Sequence, residues 1–143
     1  MTGNTHVVVI GGGYAGVMAA NRLRLRDDVT VTLINPRPDF VRRVRLHQLV
    51  GGSDDAVVAY RDVLAEGVRP VVGTVTRIDA AGRSVTPAAG GTLDYDYLVY
   101  AVGSGSAEPS VPGAAEFAHP IAPPWRRHSG CVRSSTPLPR RPR

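Results

Sequence analysis

Gly11, Gly13 and Gly16 stand at the spacing G-x-G-x-x-G, directly after the β-branched run Val7-Val8-Val9-Ile10. Each glycine there has a physical task. Gly11 lets the backbone turn sharply out of a buried strand, Gly13 lets the chain approach a ligand closely, and Gly16 lets the following helix pack tightly on a sheet. The ligand such a turn suits is a pyrophosphate, because a helix start presents unpaired N–H groups and roughly half a positive charge of macrodipole. The motif alone is weak evidence. Here it follows a strand and opens a helix with Ala15, Met18, Ala19 and Leu23 on one face, and a second apolar run, Val29 to Ile34, comes next. That is the context of a dinucleotide-binding βαβ unit.

Asn35 ends the second run, 19 residues after Gly16, where this unit normally places an Asp or Glu for the adenosine ribose hydroxyls. Its amide can still accept from and donate to a hydroxyl, but the charge-assisted bond is lost. Two readings compete at this point: Asn35 is a weaker ribose ligand, or Asn35 with Arg37 marks a site for the 2′-phosphate of NADP.

The elements that must position these residues follow from periodicity. Strands are expected at 6–10 and 29–34, with His6 at a strand edge, and a helix at about 15–26 whose Arg22, Arg24 and Arg26 form a solvated face. Pro36-Arg37-Pro38 forces an extended exit. Short helices are expected through residues 41–50 and 56–65, the second capped by Asp54 or Asp55 and ended by Gly67. From residue 71 the pattern alternates: a strand at 71–78, then strands at 83–86 and 92–95 joined by turns, a small β-meander. A buried strand at 97–102 ends in the small-residue turn Gly103-Ser104, beside the ligand crevice of an α/β sheet. The expected architecture is a three-layer, Rossmann-like α/β fold, with a parallel sheet of strands 6–10, 29–34, 71–78 and 97–102 and the meander on one side.

Composition narrows the class. The chain has 143 residues, the size of one domain, and its 43% hydrophobic content supplies a core. No apolar run approaches the ~20 residues of a membrane span, and no signal-peptide pattern opens the chain, so a cytoplasmic location is expected. The single cysteine, Cys131, excludes an intramolecular disulfide or a paired-cysteine redox centre within the chain. No metal-ligand spacing and no catalytic acid or base stands out. The net charge of +5 belongs to the tail: residues 117–143 hold six arginines and no acid, while residues 1–116 are close to neutral. With six prolines and no periodicity, that tail is expected to be disordered.

The N-terminal glycine motif, the meander and the strand Tyr95-Asp96-Tyr97-Leu98-Val99-Tyr100-Ala101-Val102-Gly103 together resemble the FAD domain of flavoproteins with two dinucleotide-binding domains. The similarity is strongest to the type II NADH dehydrogenase-like and apoptosis-inducing-factor-2-like branch, whose pre-meander spacing Gly73-Thr74-Val75-Thr76-Arg77-Ile78-Asp79 matches. It covers residues 6–118. The resemblance implies that the N-terminal motif holds FAD, with Gly11, Gly13, Gly16 and the amides of Tyr14 and Ala15 on the pyrophosphate. It places Asn35 at the adenosine ribose, with Arg37 nearby, Gln48 at a flavin-contacting position and the Val75 backbone at the adenine. Ala101 and Gly103 match an A-T-G stretch near the cofactor, with Val102 where the family has Thr.

The departure lies at the end. Residues 1–118 are read as an incomplete FAD/NAD(P)-binding domain, and 119–143 as an Arg/Pro-rich tail for which an out-of-frame origin is one reading: the chain has no lysine and 17 arginines, a sign of GC-rich coding. The resemblance implies an oxidoreductase passing hydride from NAD(P)H to FAD and on to a quinone or other acceptor. This chain is expected to be a truncated, inactive form, with uncovered apolar surface favouring self-association. The alternatives are an FAD- or ADP-binding module without turnover, an NADP-binding Rossmann protein and, weakest, nucleic-acid binding through the tail, which has one aromatic residue, Trp125.

Overall fold

A computed structural model of the chain describes residues 4–53 and 56–103. The expected tail, and the Asp54 or Asp55 cap, lie outside the described residues.

β1 (Thr5–Ile10) leads through the glycine turn into α1 (Tyr14–Leu23) and then β2 (Val29–Asn35). A hairpin of β3 (Asp39–Val41) and β4 (Val57–Ala59) encloses a 3-10 turn, Arg43–Arg45, and α2 (Leu46–Gly51). The one-turn α3 (Tyr60–Val63) precedes β5 (Val68–Val72). Then come β6 (Val75–Asp79), β7 (Ser84–Pro87) and β8 (Leu93–Asp94), and finally β9 (Tyr97–Tyr100).

The main sheet runs β5-β2-β1-β9, and every pairing in it is parallel. Parallel strands need both faces covered, and the continuous runs of β1 and β2 supply apolar side chains to each face. On one face Val7, Val9, Val31 and Leu33 pack with Val17 and Ala20 of α1, Phe40 of the hairpin and Tyr60. On the other, Val8, Ile10 and Ile34 meet Val85 and Tyr95 of the meander. The three layers are therefore helix and hairpin, sheet, and meander. Burying each large aliphatic of these clusters contributes about 1.5–3 kcal/mol. His6 fastens sheet to meander: its Nδ1 lies 2.7 Å from the Asp94 carbonyl and its Nε2 2.9 Å from the hydroxyl of Thr32, the one buried polar side chain of the described core.

Four expectations are corrected. The strand expected at 71–78 is two strands, broken at Gly73. There the Gly73 amide donates to the Asn35 carbonyl, 2.9 Å, as the chain leaves β2's edge for the meander. The fourth parallel strand is thus Val68–Val72, and Pro70 is tolerated because β5 pairs only with β2. The helix expected at 56–65 begins as strand β4, since Val57 and Val58 pair with Val41 and Phe40; only one helical turn remains. The helix expected at 41–50 is confined to the 3-10 turn and α2, because Phe40 and Val41 are drawn into the same hairpin. α1 stops at Leu23, and Arg24 does not lie free on a solvated face: its Nε donates to the Glu66 carbonyl, 3.2 Å. Arg26 does face solvent, paired with Asp28 at 2.8 Å.

Candidate functional site

The carboxyl ends of β1, β2, β5 and β9 share one edge of the sheet, and the loops leaving them converge there. Gly11 has φ +103, a left-handed conformation costly for any residue with a Cβ. Its amide donates to the Ile34 carbonyl at 2.8 Å, and the Ala101 amide donates to the Ile10 carbonyl at 2.8 Å. A Cβ at Gly11 would collide with the Ala101 carbonyl, so the turns after β1 and β9 are packed backbone against backbone. A Cβ at Gly16 would run into the Gly11 carbonyl, and this closeness seats α1 on the turn.

Gly13 differs from both. It is the N-cap of α1, it is exposed, and nothing lies within 4 Å of where its Cβ would be. No side chain caps the helix and no acid occupies its first turn, so no side chain of the helix start compensates its dipole. Tyr14 itself stands edge-on to Phe40, ring centroids 5.0 Å apart at 84°.

Gly12, between them, is held through both of the peptide units that meet at it. Its N–H donates to Asn35 Oδ1, 3.0 Å, and its carbonyl accepts from the Tyr60 hydroxyl, 2.8 Å. Asn35 Nδ2 donates to the Arg37 carbonyl, 3.1 Å. Burial pushes the Tyr60 phenol up to about 12, with Arg37 opposing and Asp39 reinforcing the shift. Two shallow concavities adjoin this cluster. One, of about 250 Å³, is bounded by Leu33, Arg37, Tyr60, Val71 and Val72; the other, of about 320 Å³, by Arg37, Pro38, Asp39, Val41 and Val57. Arg37 borders both.

The residues singled out in the sequence thus fall into groups. Gly11, Gly13, Tyr14, Ala15, Gly16, Asn35, Ala101 and Gly103 lie along the carboxyl edge, Gly103 with φ +73 just past β9. Arg37 follows Asn35 and is half-buried. Gln48 sits on α2 with its Oε1 buried and without a hydrogen-bond partner. Val75 opens β6, two residues after Gly73. Tyr60 escaped sequence reasoning. The signal was Gly12: a third consecutive glycine at a position where the motif accepts any residue, required here because a Cβ would overlap the Tyr60 ring and hydroxyl. No cluster of three metal-binding side chains exists among the described residues.

The chain is similar to several known proteins. An NADH dehydrogenase-like protein of Mycobacterium tuberculosis is 39% identical over 122 residues, 79% of this chain and 30% of that protein. The type II NADH:quinone oxidoreductase Ndh of the same organism is 33% identical over 120 residues, 78% of this chain and 26% of its own length. The structure of the sulfide:quinone oxidoreductase from Aquifex aeolicus superposes with a TM-score of 0.63 at 34% identity, covering 69% of this chain and 24% of that one. The chain therefore spans under a third of these relatives. A model of the pyridine nucleotide-disulphide oxidoreductases matches residues 5–131, and the chain belongs to that family of FAD-binding flavoproteins.

Proposed function

We propose that the chain grips the ADP half of FAD within an NAD(P)H oxidoreductase whose electrons pass on to a quinone or another acceptor, with a cytoplasmic location as part of this reading. The observation that carries it is the uncapped start of α1 beside Gly13, where the space of a side chain is left open at the positive end of a helix dipole. The other residues fit the cofactor as well: Gln48 Oε1 is a buried acceptor lacking a donor. FAD, when bound, supplies the hydride-accepting chemistry.

The chain's own residues supply position and electrostatics. The amides of Tyr14, Ala15 and Gly16 would take the pyrophosphate oxygens, and Gly11 and Gly13 keep side chains out of its way. Asn35 and Arg37 would border the adenosine ribose, and the Val75 backbone the adenine. Ala101 and Gly103 would give close backbone approach, and Gln48 would donate through its Nε2 or accept through Oε1 at the flavin end. The test is gel filtration of the purified chain with FAD. Co-elution of protein and a resolved flavin spectrum is expected; folded protein that emerges free of flavin overturns the reading.

A second reading is that these residues hold the cofactor without turnover. NAD(P)H oxidation also needs a nicotinamide site, and the described residues contain one glycine-rich turn of this type. A steady rate of NADH oxidation by the FAD-loaded chain would exclude this second reading. Among the described residues no helix is long and apolar enough to cross a membrane. Tyr97 and Tyr100 on the outer strand β9 and Val102 just past it, all at least half exposed, support self-association, which sedimentation across a concentration series reads directly.

A further inference from the structure

The middle glycine of the turn points to a role that the motif does not assign. The two peptide units that meet at Gly12 are each gripped by a side chain: Asn35 at the end of β2 accepts from the Gly12 N–H, in the Gly11–Gly12 peptide, and Tyr60 at the start of α3 donates to the Gly12 carbonyl, in the Gly12–Gly13 peptide. We infer that Asn35 and Tyr60 are positioning residues that lock the Gly11–Gly12 and Gly12–Gly13 peptides respectively, and through them the amides offered to a pyrophosphate. The inference rests on the pyrophosphate site proposed above.

The chemistry of Asn35 supports it. Position 35 must accept on one side, from Gly12 N–H, and donate on the other, to the Arg37 carbonyl. An amide does both. A carboxylate would accept from Gly12 but would set a second oxygen against the Arg37 carbonyl. The asparagine that looks like a weakened ribose ligand is thus the residue type the loop requires. Tyr60 is equally committed. It is 5% exposed, its ring occupies the space beside Gly12, and its hydroxyl makes a buried hydrogen bond across 48 residues of sequence. The buried carbonyl it serves would lose its partner in Tyr60→Phe, while the ring that fills the gap would remain.

The two roles available to Asn35 give opposite signs in one experiment. ADP is titrated into the full chain and into Asn35→Asp and Tyr60→Phe, while exchange of the Gly12 amide is followed by NMR beside the core amides of Val8 and Leu33. A positioning role predicts that both variants bind ADP about 5- to 20-fold more weakly. It also predicts that Gly12 exchange rises on the order of tenfold in Tyr60→Phe while Val8 and Leu33 keep their rates. Tighter ADP binding by Asn35→Asp would mean that the residue is a ribose ligand and overturns the inference. So does unchanged Gly12 exchange in Tyr60→Phe, or a rise shared equally by the core amides, which would mark a general loss of stability. If the unmutated chain binds neither ADP nor FAD, the proposed function fails, and the exchange measurement still decides the clamp.

Discussion

Gly11 and Ala101 meet backbone to backbone: the carbonyl of Ala101 fills the place a Cβ on Gly11 would take, and Gly11 sits at φ +103. Both facts act against any substitution. Gly11→Ala adds left-handed strain and forces apart the turns after β1 and β9, at a combined cost of about 2–5 kcal/mol. Thermal unfolding should show a loss of ten degrees or more, at about 4–8 °C per kcal/mol for a domain this small. The loss is expected with or without nucleotide, because the collision lies within the fold.

Gly13→Ala should behave in the opposite way. Its φ of −81 suits alanine and its Cβ would meet open space, so stability should change by about 1 kcal/mol or less, the cost of a poorer N-cap. ADP affinity should nevertheless fall on the order of tenfold, because the methyl group intrudes where the phosphate oxygens approach the helix amides. Calorimetric titration beside a melting curve separates the two effects.

Tyr60 makes the alkaline stability of the fold predictable. Its phenol is held near 12 by burial, against an unfolded value of about 10. Between those values the unfolded chain has lost the proton that the folded chain keeps, so stability is complete below pH 10 and declines as pH rises toward 12. The decline from this group is on the order of 2 kcal/mol, and Tyr60→Phe should flatten that limb of the curve. Melting temperatures measured from pH 8 to pH 11.5 on both proteins check it. Parallel curves would show that Tyr60 titrates as it does in the unfolded chain.

Much of this fold was legible in the sequence because β1, the glycine turn, α1 and β2 are local: a β-branched run and a glycine turn that opens a helix need no distant partner, although the face of α1 expected from Ala15, Met18, Ala19 and Leu23 is not the one it buries, which is Gly16, Val17 and Ala20, with Met18 exposed. Val29 to Asn35 could be read in the same way. The segment from residue 39 to residue 79 could not. Val57 and Val58 look like the start of a short helix until Phe40 and Val41 are placed beside them, and the break at Gly73 falls where the pairing of β5 with β2 ends, on Asn35, 38 residues earlier. At the site, the glycines were legible from their spacing. Tyr60 was not, because its contact with Gly12 spans 48 residues and is announced only by one glycine more than the motif needs.

Asn21 is a further residue whose importance is invisible in one dimension. On the helical wheel it is an ordinary polar position of α1, yet its Nδ2 donates to the Val63 carbonyl, 2.8 Å, and its Oδ1 accepts from the Ala65 amide, 2.8 Å. Together with Arg24 on the Glu66 carbonyl, it binds the turn between α3 and β5 to α1. That turn sets where Tyr60 and β5 stand relative to the glycine loop. Asn21→Ala removes two hydrogen bonds at about 1 kcal/mol each and leaves half-buried backbone groups unpaired, for a loss of about 2–3 kcal/mol. Asn21→Asp keeps the acceptor but not the donor and should lose roughly half as much. Urea unfolding of the three proteins gives the comparison; if Asn21→Asp is as damaging as Asn21→Ala, the Val63 carbonyl and not the Ala65 amide is the contact that holds the turn.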